Sequence, residues 1–257
     1  MLGAQGYASA STQLDPRYDA LPPQSFWPMI ARRFADNSCG LERDFSMSNH
    51  APSLTSVYGL SSAEDNLALY RDWAATYDQT FAAAMDYIMP HHVSMSYVEA
   101  GGVGPVLDVG AGTGLVAAAL SALGVAPVDG TDFSPEMLAV AASKGVYQRV
   151  FLGDVTARLD VPDGHYAGVV SSGTFTLGHV GPVALDEVLR ITRPGGLVVM
   201  SINVQHYEQA GFAAKFAQIR PQITGLSLDE KPFYGPGASG DHAADRGYVV
   251  RFSRASR

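Results

Sequence analysis

From residue 106 onward the chain alternates short apolar runs with stretches in which small and apolar residues recur every three or four positions. Residues 106–109 predict a first strand and 114–123 a helix. Residues 126–131 predict a second strand, and 134–143 a helix with Ser134 as N-cap and Pro135 at its first position. Strands three and four are predicted over 146–152 and 166–171. A helix over 182–192, a strand over 197–202 behind the Pro194-Gly195-Gly196 turn, a helix over 205–220, and strands over 223–233 and 247–252 complete the series. Strands separated by helices of this length build βαβ units, hence a parallel sheet with helices on both faces and right-handed crossovers.

Upstream the pattern is different. Ser61-Ser62-Ala63-Glu64 has the spacing of a capping box, and Leu67, Tyr70, Trp73 and Ala74 follow at helical intervals, predicting a helix over 62–75. A second helical stretch over 79–99 carries Phe81, Met85, Tyr87 and Ile88, with Pro90 marking a break. Residues 1–60 mix Pro, Ser and Gly with Tyr18, Phe26, Trp27, Phe34 and Phe45 and show no sustained period. They are expected to form an arm or lid with one short helix near 27–36, so the division is 1–60 for the arm and 61–257 for the main domain.

Composition narrows the function classes. A chain of 257 residues, 47% hydrophobic, can bury a full core. Its net charge of −8 opposes the basic surface that nucleic acid or anionic lipid would attract. The single cysteine, Cys39, excludes an internal disulfide framework and a multi-thiolate metal site, and no metal set is expected. The start MLGAQGYASASTQ lacks a basic n-region and a long apolar h-region, and no run approaches the ~20 apolar residues of a membrane span. The expectation is a soluble, cytoplasmic protein, monomeric or homodimeric.

Candidate chemistry begins at VLDVGAGTGL, residues 106–115. Gly110, Gly112 and Gly114 occupy the first strand-to-helix turn, where a backbone without Cβ atoms turns sharply and admits a ligand to the amides of a helix N-terminus. Such glycines also serve as plain packing devices. Asp132 closes the second strand about 20 residues later, where a carboxylate accepts ribose hydroxyls or, alternatively, favours the start of the next helix. Gly153-Asp154-Val155 places another carboxylate on the same rim, suited to an adenine amino group. The glycines run G-x-G-x-G instead of G-x-G-x-x-G, and Asp108 is read as standing in the turn, where it would repel a pyrophosphate and welcome an ammonium. A sulfonium cofactor is favoured over a dinucleotide.

VLDVGAGTG, GTDFSPEML, FLGDV and LDEVLRITRPGGLVVMS resemble the successive motifs of class I S-adenosylmethionine-dependent methyltransferases, over about residues 62–203. YRDWAATYD at 70–78, KGVYQRVFLGD at 144–154 and SSGTFTLGHVGP at 171–182 are similar to the methyltransferase-like family encoded in the Williams-Beuren syndrome region and its bacterial relatives. The arm lies outside that resemblance. The resemblance implies a Rossmann-like, seven-stranded, mostly parallel sheet ordered 3-2-1-4-5-7-6, strand seven antiparallel, with an N-terminal helical extension. It further implies that Asp108 and the turn from Gly110 through Ala111 and Gly112 to Gly114 hold the methionine end of S-adenosylmethionine. Asp132 would take the ribose, Phe133 and Met137 the adenine faces, and Gly153, Asp154 and Val155 the adenine edge, with Ser171 and Ser172 completing the rim. Tyr77 matches the tyrosine of the YD pre-motif that closes over the cofactor and is a catalytic candidate beside His179, or else is a core aromatic. Trp73 is read as packing, and Thr113 and Leu115 as scaffold contributing backbone only.

Methyl transfer from a sulfonium needs an acceptor held in line and has no obligatory base. For a hydroxyl or protonated amine a base is useful, and His179, after strand four, is the candidate, with a structural histidine as the other reading. A thioether or thiol acceptor would need none. His91-His92, Asn203 and His206-Tyr207 lie on segments that could meet the pocket, the His pair being read as a solvated turn. Arg32 and Arg33 beside Phe26, Trp27 and Phe34 are read as a carboxylate-recognising lid or as the water-facing side of an amphipathic helix. The expected function is methyl transfer to a small-molecule oxygen, sulfur or simple amine. A nicotinamide oxidoreductase and a non-catalytic cofactor-binding module are the alternatives.

Overall fold

A computed structural model describes residue 71 and residues 73–256. The arm, its Arg32-Arg33 pair, the capping box and most of the 62–75 helix fall outside these residues. The described chain forms one seven-stranded sheet: β1 (Val106–Val109), β2 (Val128–Asp132), β3 (Arg149–Leu152), β4 (Tyr166–Phe175), β5 (Thr192–Asn203), β6 (Ile223–Pro232) and β7 (Arg246–Arg254). The order is β3-β2-β1-β4-β5-β7-β6. β1 to β5 run parallel, and β7 is antiparallel to both β5 and β6.

Strand alternation sorts the core into two layers. Leu107, Val109, Val169, Val198 and Met200 face α4 (Ala184–Ile191) and α6 (Phe212–Ile219), while Val106, Val128, Val170 and Val199 face α1 (Met89–Glu99) and α2 (Leu115–Ala122). The sequence LVAAALSA makes α2 apolar around most of its surface, and six of its residues are buried. The helix α3 (Pro135–Ser143) follows β2, capped by Ser134, whose hydroxyl accepts from the Met137 amide at 3.2 Å. The short α5 (Val204–Gln209) follows β5, with Asn203 as its N-cap.

Several boundaries differ from the sequence expectation: β4 runs on to Phe175, and β5 begins at Thr192, so that Pro194-Gly195-Gly196 lies within the strand instead of forming a turn before it. The predicted helix over 79–99 divides into a π-helical turn, Asp78–Ala83, and α1, with Asp86 between them at φ 47. The break that Pro90 marks falls just before it: Pro90 sits in the first turn of α1, where its missing N–H has no partner to lose. The 205–220 helix is two helices separated at Gly211, φ 86. Strand three starts at Arg149, since Tyr147 turns inward to meet Asp108. Among the described residues no helix is long and apolar enough to cross a membrane.

The loop after β3 is tied down by a buried ion pair. Glu187 on α4 accepts from the Leu159 amide at 2.7 Å and from Arg190 Nε at 2.8 Å. Arg190 also donates to the carbonyls of Val161 and Leu159 and to Asp163, and its side chain is only 14% exposed. Lysine cannot make these forked contacts. Arg190→Ala is therefore expected to lower unfolding free energy by about 2–4 kcal/mol, with Arg190→Lys recovering less than half, as read by urea denaturation. A loss within ~0.5 kcal/mol, the range of an ordinary surface substitution, would show the network to be decorative.

Candidate active site

The parallel strands end at one rim, and a cavity of about 380 Å³ opens there. Its floor is the glycine turn, in which Gly110, Gly112 and Gly114 adopt φ of 66, 52 and 92. Those values suit glycine and strain other residues. The turn is held from β2: the Ala111 amide donates to Thr131 O at 3.0 Å, and the Gly112 amide donates to Asp132 Oδ2 at 2.8 Å. The other oxygen of Asp132 accepts from the Ser134 amide at 2.9 Å. One carboxylate thus joins the cofactor-side turn to the start of α3. Burial raises the pKa of Asp132, and the amides of Ser134, Gly112 and Phe133 oppose that rise.

The cavity wall carries Tyr77, Gly110, Ala111, Gly112, Asp132, Phe133, Met137, Gly153, Asp154, Val155, Ser172 and His179 from the sequence-derived candidates. Asp154 Oδ1 accepts from both the amide and the hydroxyl of Thr156, which fixes the turn after β3. Three candidates stand behind the wall. Ser171 is buried and donates to Val109 O at 2.7 Å, bracing β4 against β1. Gly114 is the N-cap of α2 and packs on Tyr147.

Asp108 is the third, and it does not stand in the turn. The pleat of β1 directs its side chain toward α2 and Tyr147, and it is fully buried. The Tyr147 hydroxyl donates to Asp108 Oδ2 at 2.7 Å, while Oδ1 is buried without a hydrogen-bond partner among the described residues. The ring of Tyr147 is wedged between two glycines: a Cβ on Gly130 would lie 2.8 Å from it and one on Gly114 3.0 Å. Burial pushes the Asp108 carboxyl up to about 7, the Tyr147 hydrogen bond opposing this and the charge of Asp132 adding to it.

Segments outside the sheet close the cavity. Asp78, next to Tyr77, accepts from the Thr113 hydroxyl at 2.6 Å and pairs with Lys144 at the end of α3. Thr113 therefore contributes its side chain as well as its backbone. Burial lowers the pKa of Lys144, and Asp78 opposes that shift. Trp73 is buried, with its indole N–H donating to Thr80 Oγ1 at 3.0 Å. On the β4 side, the Tyr87 and Ser172 hydroxyls lie 3.1 Å apart, and burial pushes the Tyr87 phenol up to about 12. His91 and His92 are half-buried at the start of α1 instead of solvated, and burial lowers both pKa values. His206 is buried, its Nε2 lying 2.9 Å from Val180 O, so it braces the loop that carries His179. Among the described residues no group of three or more His, Cys, Asp or Glu is placed to hold a metal ion.

The sheet order, the antiparallel β7 and the glycine turn at the rim agree with a match over residues 106–196 to the family described as "Methyltransferase domain". The chain has the class I methyltransferase fold. It is 36% identical over 163 residues to Methyltransferase-like protein 27 of Homo sapiens, covering 59% of this chain and 65% of that one. It is 41% identical over 98 residues to Demethylmenaquinone methyltransferase of Beutenbergia cavernae, covering 37% and 39%. The matches thus span less than two thirds of either relative. A solved DhpI–SAH complex superposes with a TM-score of 0.54 at 22% identity, covering 76% of this chain and 97% of that one.

The class I cavity fits the cofactor that the sequence resemblance implies. Its volume suits a nucleoside-sized ligand. The hydroxyl of Thr131, on its wall, is buried without a partner among the described residues, and open space lies where a Cβ on Gly112 would project. The sequence assigns neither Tyr87, which lines the cavity, nor Tyr147, Asp78 and Lys144, which brace its residues from behind. Tyr147 and Lys144 could be suspected only from KGVYQRVFLGD as a whole.

The raised pKa of Asp108 has a sign that can be measured. Its carboxyl keeps a proton in the folded chain where the unfolded chain, near 3.8, releases it. Its contribution to stability therefore falls as pH rises from about 4 to about 7 and levels above that. Asp108→Asn removes this dependence, so its melting temperature should rise relative to wild type between pH 5 and 8. A difference that stays constant across that range would contradict the assignment.

Proposed function

We propose that the protein transfers a methyl group from S-adenosylmethionine to a small-molecule acceptor at oxygen, sulfur or a simple amine, leaving S-adenosylhomocysteine. The observation that carries this reading is the double anchorage of Asp132, which sets the Gly112 turn and the start of α3 around a nucleoside-sized cavity. Asp132 and Thr131 would take the ribose side, Phe133 and Met137 the adenine faces, and Asp154 and Val155 the adenine edge. Gly110 to Gly112 would take the methionine end. Asp108, behind the turn, holds its floor instead of touching the ligand. The bound cofactor supplies a methyl group already activated by positive sulfur. The chain itself orients the acceptor, excludes water with Tyr77 and Tyr87, and offers His179 as a proton acceptor.

His179 is suited to that role. Its Nδ1 lies 3.1 Å from Leu177 O, a carbonyl that can only accept, so the proton sits on Nδ1 and Nε2 carries the lone pair. Burial lowers its pKa, which keeps the ring neutral. The names of the matched relatives support the reaction class. The net charge of −8 supports a small acceptor over nucleic acid.

Calorimetry is expected to show binding of S-adenosylmethionine and S-adenosylhomocysteine and none of NADH. Asp132→Ala, which leaves the Gly112 amide without its partner, should weaken S-adenosylhomocysteine binding roughly ten- to a hundredfold. Binding of NADH alone would replace this reading with the nicotinamide one.

A further inference from the structure

Residues 73–82 form a small arch whose feet are fixed without help from its crown. Trp73 and Ala74 at one foot and Phe81 and Ala82 at the other are buried. The rings of Trp73 and Phe81 meet edge to face at 5.2 Å, and the Trp73 indole N–H donates to Thr80 Oγ1 at 3.0 Å, so the two feet hold each other as well as the core. Between them, residues 75–80 are exposed or half-buried. The crown carries Tyr77, on the cavity wall, and next to it Asp78.

Asp78 reaches out of the arch to two places. One oxygen accepts from the hydroxyl of Thr113, the residue between Gly112 and Gly114 in the glycine turn, at 2.6 Å, and the other pairs with Lys144 at the C-terminal end of α3. The Lys144 side chain is 11% exposed. Taking an ammonium out of water is costly, and burial lowers the pKa of Lys144, with Asp78 opposing the shift. The feet of the arch pack without this pair. What remains for a charged tie on the cofactor-side turn is to fix Tyr77 and Thr113, both of which line the cavity.

Resting on the methyltransferase reading above, we propose that Asp78 and Lys144 are positioning residues for the methyl donor: their ion pair holds the crown of the arch, with Tyr77, against the Gly110 to Gly114 turn and so sets how long the adenosyl ligand stays bound. Asp78 and Lys144 stand outside the lining of the cavity and act through Tyr77 and Thr113. The tie opens and re-forms as the ligand exchanges, while Trp73 and Phe81 stay in the core.

The test is surface plasmon resonance on full-length protein with S-adenosylhomocysteine as the probe. Asp78→Asn and Lys144→Met should each raise the dissociation rate about tenfold or more, with the association rate staying within about threefold. The double variant should dissociate no faster than the faster single variant, because each single change strands the other partner. The same variants are also made with Trp27→Phe, which leaves Trp73 as the single tryptophan, and are read by fluorescence without ligand. The emission maximum of Trp73 should stay at its wild-type position, since the feet do not move. Dissociation rates within about twofold of wild type, effects that multiply in the double variant, or a red-shifted Trp73 would each overturn the proposal, the last by showing that the pair merely supports the fold. If wild-type protein fails to bind S-adenosylhomocysteine at all, the cofactor reading falls first and the positioning role with it.

Discussion

The site depends on one carboxylate placed where two chain reversals meet. Asp132 is nearly buried, and both of its oxygens are engaged by backbone amides, Gly112 on one side and Ser134 on the other. A carboxylate is effective here because it accepts only, so two converging N–H groups fix its charge, its rotamer and the path of both loops at once. Left-handed glycines on the first loop and a Ser-Pro cap on the second make this convergence possible.

Around that anchor, the architecture divides the labour by strand. β2 and β3 supply charge and β4 supplies hydroxyls and the histidine loop, with the glycine turn between them. The outer segments bind to this frame through a few polar contacts and the apolar packing of Trp73, Phe81 and Tyr87. Asp78 reaches both the glycine turn and the end of α3, and His206 supports the loop of His179 from the far side of β5.

Much of this is legible in sequence because it is local. The strand-glycine-helix turn, the Ser134-Pro135 cap and the carboxylates ending strands two and three each declare themselves within a few residues. The sheet order comes from resemblance, since periodicity alone gives strands without their neighbours. What stays hidden is nonlocal: Tyr147 and Asp108 are 39 residues apart, Lys144 and Asp78 66, and Tyr87 and Ser172 85. Asp108 is misplaced by its motif for a related reason. Motif spacing says that an acid ends the first strand, but only the pleat and the tyrosine opposite decide which way it turns. The split helices at Asp86 and Gly211 escape because a single left-handed residue leaves the apolar period intact on both sides.

The isolated bridge between Tyr87 and Tyr234 ties the chain between β6 and β7 to a residue of the cavity wall. Both of those residues lie outside 106–196, the stretch held in common with the methyltransferase domain. The cavity wall is therefore drawn from inside and outside that stretch: Ser172, Gly173 and His179 lie within it, and Tyr77, Tyr87 and Pro90 before it. A chain shortened to the shared stretch would lose Tyr77, Tyr87 and Pro90 from the cavity wall together with β6 and β7 at the edge of the sheet.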